Sequence, residues 1–116
     1  MAEIRIVRDP VARAELQHIA EGQFGDFLKA VVDIEQGIMA IGGELHADIE
    51  VVLTEQIESK REFTWGINLY PEKFDNDFIE FDSMINIKPQ YGNRSRGVGD
   101  VKVQEQIRNI VKKLVV

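Results

Sequence analysis

The stretch Glu44-Leu45-His46-Ala47-Asp48-Ile49-Glu50-Val51-Val52-Leu53-Thr54-Glu55-Gln56-Ile57 fits two secondary structures, and the choice between them decides the fold. Leu45, Ile49, Val52 and Leu53 make a helical stripe, whereas Leu45, Ala47, Ile49, Val51 and Leu53 alternate as in a strand. Ile49, Val51, Val52 and Thr54 are β-branched, which favours the pleated form, so a strand is expected. A strand would set Glu44, His46, Asp48 and Glu50 along one face. In a helix His46 would point away from the Glu44 and Asp48 pair.

On either side of this stretch the periods are clearer. Towards the N-terminus, Leu28, Ala30, Val32 and Ile34 alternate with Lys29, Val31, Asp33 and Glu35, the pattern of a half-buried strand. Gln36-Gly37 supplies a tight turn and Ile38 to Ile41 the returning strand. Before it, Glu3 to Val7 reads as a short strand, and Asp9-Pro10 as the start of a helix. That helix carries the stripe Ala12, Leu16, Ile19 and Ala20 and has Gly22 as its stop. Towards the C-terminus, Phe63, Trp65, Ile67 and Leu69 alternate up to Pro71, and Ile79, Phe81, Ser83, Ile85 and Ile87 alternate up to Pro89, which predicts a hairpin. Gln90 to Gly99 reads as an exposed loop. Asp100 caps a last helix with the stripe Val103, Ile107, Ile110, Val111 and Leu114, and Lys112 and Lys113 complement its C-terminal dipole. The expected fold is α+β and two-layered: an antiparallel sheet of four to six strands, with two helices, or three if 44–57 is helical, packed on one face.

With 116 residues, 44% of them hydrophobic, the chain is expected to form one compact domain spanning 1–116. It has no cysteine, which removes disulfides, thiolate metal ligands and a thiol nucleophile and fits a reducing cytosol. The first residues lack a signal-peptide core, and no run approaches the roughly 18 apolar residues of a membrane span. A cytoplasmic protein away from the membrane is the expectation. The net charge of -6 argues against general nucleic-acid binding. It is unevenly spread: residues 1–87 net -11, and residues 88–116 net +5. Only the C-terminal quarter is suited to attract an anion, unless the two segments neutralise each other by packing side by side.

The outer face of the expected sheet would carry Lys29, Asp33, Thr64, Asn68, Tyr70, Glu80, Asp82 and Asn86. If the loop after Tyr70 folds symmetrically, Gly66 lies opposite Asp82 and leaves a notch over a carboxylate that a ligand can enter. His46, flanked by Glu44 and Asp48, is the candidate acid or base, because nearby carboxylates raise an imidazole from its ordinary pKa near ~6.5. Asp48 or Asp82 would orient it. The same alternation makes a weak metal-ligand pattern with a single histidine, so no metal and no cofactor is assigned. Gly92-Asn93-Arg94-Ser95-Arg96-Gly97 offers two guanidinium groups and a hydroxyl to a phosphate or carboxylate, yet lacks the spacing and lysine of a nucleotide-triphosphate loop. The candidate set is therefore His46, Asp48 and Asp82 for catalysis, with Lys29, Asp33, Glu44, Asn68, Tyr70, Asn86, Arg94, Ser95 and Arg96 for binding a small anionic ligand.

The strings Gly42-Gly43-Glu44-Leu45-His46-Ala47-Asp48, Trp65-Gly66-Ile67-Asn68-Leu69-Tyr70-Pro71, Phe78 to Ile87 and Gly92-Asn93-Arg94-Ser95-Arg96 resemble a family of small prokaryotic proteins known only as a domain of unknown function. The resemblance covers nearly the whole chain. It departs at Ile57-Glu58-Ser59-Lys60, where that family has a Gly-Ser turn, and it implies no activity, cofactor or catalytic residue. Two functions from different classes follow from the residues themselves. One is a binding or interaction module, homodimeric through an open sheet face or edge strand. The other is a small hydrolase or phosphate-ester enzyme using His46 with Asp48 or Asp82 and an Arg94/Arg96 clamp.

Overall fold

In the computed structural model, which describes residues 3–116, the period-two segments become strands β1 (Arg5–Val7), β2 (Leu28–Asp33), β3 (Ile38–Ile41), β4 (Thr64–Leu69) and β5 (Ile79–Glu80). Met1 and Ala2, which the sequence includes in its expected single domain, lie outside the described residues. The strands form one antiparallel sheet in the order β1-β3-β2-β4-β5. Helices α1 (Arg13–Glu21), α2 (His46–Ile57) and α3 (Val101–Leu114) complete an α+β fold. The turn between β2 and β3 uses Gly37 at φ 71°, in the left-handed region that favours glycine. Asp33 organises that turn, accepting from Glu35 N–H at 2.9 Å and Gln36 N–H at 3.0 Å through Oδ1, and from Ser59 Oγ at 2.6 Å through Oδ2. The buried carboxylate is thus consumed by structure, which removes Asp33 from the ligand-binding candidates.

The two terminal helices differ from expectation only in detail. Asp100 caps α3 by accepting from Lys102 N–H at 2.9 Å, and Ile107, Val111 and Leu114 are its buried residues. α1 ends at Gly22 as expected, but starts at Arg13 instead of beside Pro10. Val11 is held extended by a parallel bridge to Val115, which delays the helix.

The segment 44–57 is a helix from His46 onward, which corrects the expected strand. Its buried apolar residues are Ile49 and Leu53, four apart, and they pack with Val31, Ile38 and Ala40. Those three project from β2 and β3 on the face opposite to Leu28, Ala30, Val32, Met39 and Ile41, which pack with α1 and α3. The helices therefore divide between the two faces of the sheet and do not share one. A sheet with apolar residues at both parities needs cover on both sides, and that outweighs the β-propensity of Val51, Val52 and Thr54. The face expected to be open to water or to a second copy lies largely under α2.

The expected strand 79–87 stops after Glu80. Asn68 pairs with Glu80, a register that would bring Gly66 opposite Asp82 if it continued. Instead Asn86, on a 3-10 turn at Met84–Asn86, replaces the ladder: its Oδ1 accepts from Gly66 N–H at 2.8 Å and its Nδ2 donates to Gly66 O at 2.9 Å. Further on, Lys88 is buried with its Nζ donating to Thr64 O at 2.6 Å and to Arg61 O, 4.3 Å from the Trp65 ring centre. Burial lowers its pKa to about 8, against the opposing pull of Glu50 and Glu62.

Truncation separates helix from strand over 44–57. Leu53→Ala is expected to cost about 2–5 kcal/mol in urea unfolding, and Val51→Ala, on the exposed side, under about 1 kcal/mol. Equal losses would indicate a strand, which puts Val51 and Leu53 on one face. Lys88 gives a pH signature. Between pH about 8 and 10.5 the unfolded lysine holds a proton that the folded one has lost. Its contribution to stability should therefore rise with pH across that window, and chemical denaturation of Lys88→Met should lack the rise.

Candidate functional site

Polar side chains at the N-terminal end of α2 meet in a cleft of about 370 Å³. β2 contributes Lys29, α2 contributes His46, β4 contributes Asn68, and β5 with the chain beyond it contributes Glu80, Asp82 and Arg96. Each arrives for a local reason. Alternation turns Lys29 and Asn68 to the Val31 face, where the two residues are paired across β2 and β4. The antiparallel β4–β5 register sets Glu80 beside Asn68, whose Nδ2 donates to Glu80 Oε1 at 2.8 Å; Tyr70 Oη donates to the same oxygen at 3.1 Å. Arg96 Nε donates to Asp82 Oδ1 at 2.8 Å, an ion pair with both side chains about half exposed.

His46 is the first residue of α2 and is 9% exposed. Its Nε2 lies 2.8 Å from Ile67 O, so Nε2 carries the proton and Nδ1 is the lone-pair nitrogen of the neutral ring. Burial pulls its pKa below 6.5; the hydrogen bond to Ile67 opposes this, Lys29 adds to it, and Asp82 and Asn68 oppose it more weakly. The expected rise does not occur: Glu44 and Asp48 are both exposed, and neither is among the groups that act on the ring. Gly66 lies beneath. A Cβ there would be 2.5 Å from Ser83 Cβ and 3.1 Å from His46 Cδ2, so the expected notch is filled by these two side chains and not by a ligand. Ser83 Oγ accepts from Ile85 N–H at 3.3 Å and makes no hydrogen bond to the imidazole among the described residues, so no Ser-His nucleophile pair is formed.

The cleft also has groups that donate. Leu45, the N-cap of α2, makes no side-chain cap, and the N–H groups of His46 and Ala47 have no acceptor among the described residues. Asn68, 6% exposed, has its Oδ1 without a donor among the described residues. The rim is apolar, with Phe27, Ile85, Leu45 (56% exposed) and Met84 (65% exposed). The sequence pattern assigned Leu45 and Ile85 to apolar stripes and left Phe27 and Met84 unassigned, since an apolar side chain at a cleft rim has no periodic signature of its own.

Of the sequence candidates, Lys29, His46, Asn68, Asp82 and Arg96 meet here. Tyr70 adjoins through Glu80. Asn86 is spent on the Gly66 backbone, and Glu44, Asp48, Arg94 and Ser95 lie outside, all four exposed. The Arg94/Arg96 clamp is thus divided: Arg96 lines the cleft, held by its pair with Asp82, and Arg94 does not line it. Among the described residues no group of three or more His, Asp or Glu is placed to hold a metal ion. No helix among them is long and apolar enough to cross a membrane.

An α+β sheet protein with this cleft matches a family model over residues 5–114. The chain belongs to that family, the proteins of unknown function designated DUF5674. Comparison with curated proteins and with solved structures found no match.

The buried imidazole should titrate below 6.5 when its ring signals are followed by NMR. A lowered folded pKa means that the unfolded chain binds the extra proton first. Stability should therefore fall as pH drops from 6.5 towards the folded value and level off below it. His46→Asn should abolish that component of the pH dependence, and an unchanged profile would place the ring in water.

Proposed function

We propose that the protein is a binding module whose cleft at the N-terminus of α2 takes a small molecule bearing a carboxylate and a neighbouring N–H or O–H donor. The observation that carries this reading is the meeting of complementary groups from four segments around an unpartnered buried acceptor, Asn68 Oδ1. Lys29 and the free N–H groups of α2 suit the carboxylate. Asn68 Oδ1, Glu80 and Asp82 suit the donor, and Leu45, Met84 and Phe27 suit an apolar substituent. The exposed Arg96–Asp82 pair is weak enough to open towards a ligand. The site is complete within one chain, so the homodimer is not needed for it. The cytosolic setting rests on the absence of cysteine.

Hydrolysis is the second reading, favoured by one observation: a neutral imidazole with a free lone pair shares the cleft with Asp82 and Arg96. Binding is preferred because Nε2 is committed to Ile67 O and the nearby Ser83 hydroxyl makes no hydrogen bond to the ring among the described residues.

A two-dimensional NMR titration with a panel of α-amino acids and 2-hydroxy acids tests the proposal. At least one member should shift the His46 and Asn68 signals saturably, and Lys29→Gln should weaken it about tenfold. Absence of any saturable shift up to about 10 mM would remove the binding reading. Turnover of nitrophenyl esters lost in His46→Asn would replace it with hydrolysis.

A further inference from the structure

A second cavity, of about 350 Å³, lies between the first turn of α1, the C-terminal half of α3 and the loop before β5. Its charge is unlike that of the rest of the molecule. Arg13, Arg108 and Lys112 line it, against the single carboxylate Asp75. Among the described residues none of the three cations lies within 4.0 Å of a carboxylate, although the chain carries 20 acidic residues; the ion pairs there are made by Arg5, Arg61 and Arg96. Three unpaired cations converging on one concavity repel each other, and an anion between them relieves that repulsion.

Arg13 is held in place before any ligand arrives. Its Nη1 donates to Pro71 O at 2.9 Å and to Lys73 O at 3.0 Å, and the guanidinium carbon lies 4.2 Å from the Phe78 ring centre and 5.2 Å from that of Phe74. Both Nη1 protons are thereby used, leaving the Nε and Nη2 donors without acceptors among the described residues. Arg13 also opens α1, and its own N–H donates to Val116 O at 3.1 Å, which ties the start of that helix to the chain just after α3 and fixes the backbone that carries the guanidinium. Arg108 is steadied 5.0 Å from the Phe81 ring centre and sits one helical turn before Lys112, which puts both on one side of α3. The remaining wall is Asn76 together with the apolar Phe78, Ile79, Val111 and Val115.

From this arrangement we propose that the cavity is a binding site for an organic phosphate monoester, separate from the α2 cleft. The dianion lies among Arg13, Arg108 and Lys112, with guanidinium forks suited to phosphate oxygens. The organic body lies on Phe78, Val111 and Val115, which is what distinguishes this ligand from free phosphate. The site does not depend on the function proposed for the α2 cleft, because no residue lines both.

Phenyl phosphate is the probe, followed by NMR on the whole chain. Saturable shifts are expected at Arg13 and along Arg108 to Val115, with inorganic phosphate binding the same residues several-fold more weakly. Arg108→Gln with Lys112→Gln should weaken phenyl phosphate by about tenfold or more, while thermal unfolding checks that α3 tolerates the change at the half-buried Arg108 and the exposed Lys112. Raising the salt concentration should weaken binding in the parent and much less in the double variant. Shifts confined to Lys29 and His46, equal affinity in the double variant, or no saturation up to about 10 mM would each overturn the proposal. Equal affinity for inorganic phosphate would overturn the organic part of it.

Discussion

β2 is buried on both faces: Leu28, Ala30 and Val32 lie against one core and Val31 against another, while Asp33 is sealed into the adjoining turn. A central strand of this kind needs a layer on each side, since bare apolar surface costs about 25 cal/mol per Å². α1 and α3 supply the first layer. α2 supplies the second by setting Ile49 and Leu53 against Val31, Ile38 and Ala40. Much of the rest depends on that docking, because it fixes where the N-terminus of α2 arrives: above Gly66, with the His46 ring against a position where a Cβ would not fit.

The cleft follows from the way the sheet is ended. Asn86 satisfies both backbone groups of Gly66 and donates to Arg96 O, so one amide side chain stands in for a strand and ties two loops to β4. The chain released from pairing carries Asp82, Ser83 and Arg96 over the polar face of β4. Burial then sets the chemistry. His46 is kept neutral by desolvation, and its proton placement is dictated by a backbone carbonyl and not by a carboxylate. The groups that line the cleft are thus a lone-pair nitrogen, helix N–H groups without an acceptor among the described residues, an amide oxygen and charges of both signs.

The uneven charge of the chain resolves in more than one way. Packing does bring the basic C-terminal quarter against the acidic remainder, yet only Arg96 of that quarter makes an ion pair among the described residues. Lys88 is buried against backbone carbonyls and the Trp65 ring, at a desolvation cost that its lowered pKa records. Arg108 and Lys112 line a cavity shared with Arg13, which comes from the other end of the sequence. Net charge per segment locates the excess cations correctly, while the cavity needs the contact between α1 and α3.

The sequence alone determined the elements whose periods are unambiguous: β2, the Gly37 turn, β3, β4 and an α3 capped by Asp100, and with them an antiparallel α+β fold. It also marked Lys29, His46, Asn68, Asp82 and Arg96, because short-range alternation and side-chain chemistry are local properties. Only the tertiary structure decided that 44–57 is helical, since both templates match and the deciding energy comes from strands elsewhere in the chain. The same long-range packing ended the last strand at Glu80, consumed Asp33 and Asn86 in backbone hydrogen bonds, and left Glu44, Asp48, Arg94 and Ser95 outside the cleft. Whether a polar side chain becomes a site or a strut depends on which unsatisfied backbone groups lie within its reach, and that distance is not written in its neighbours along the chain.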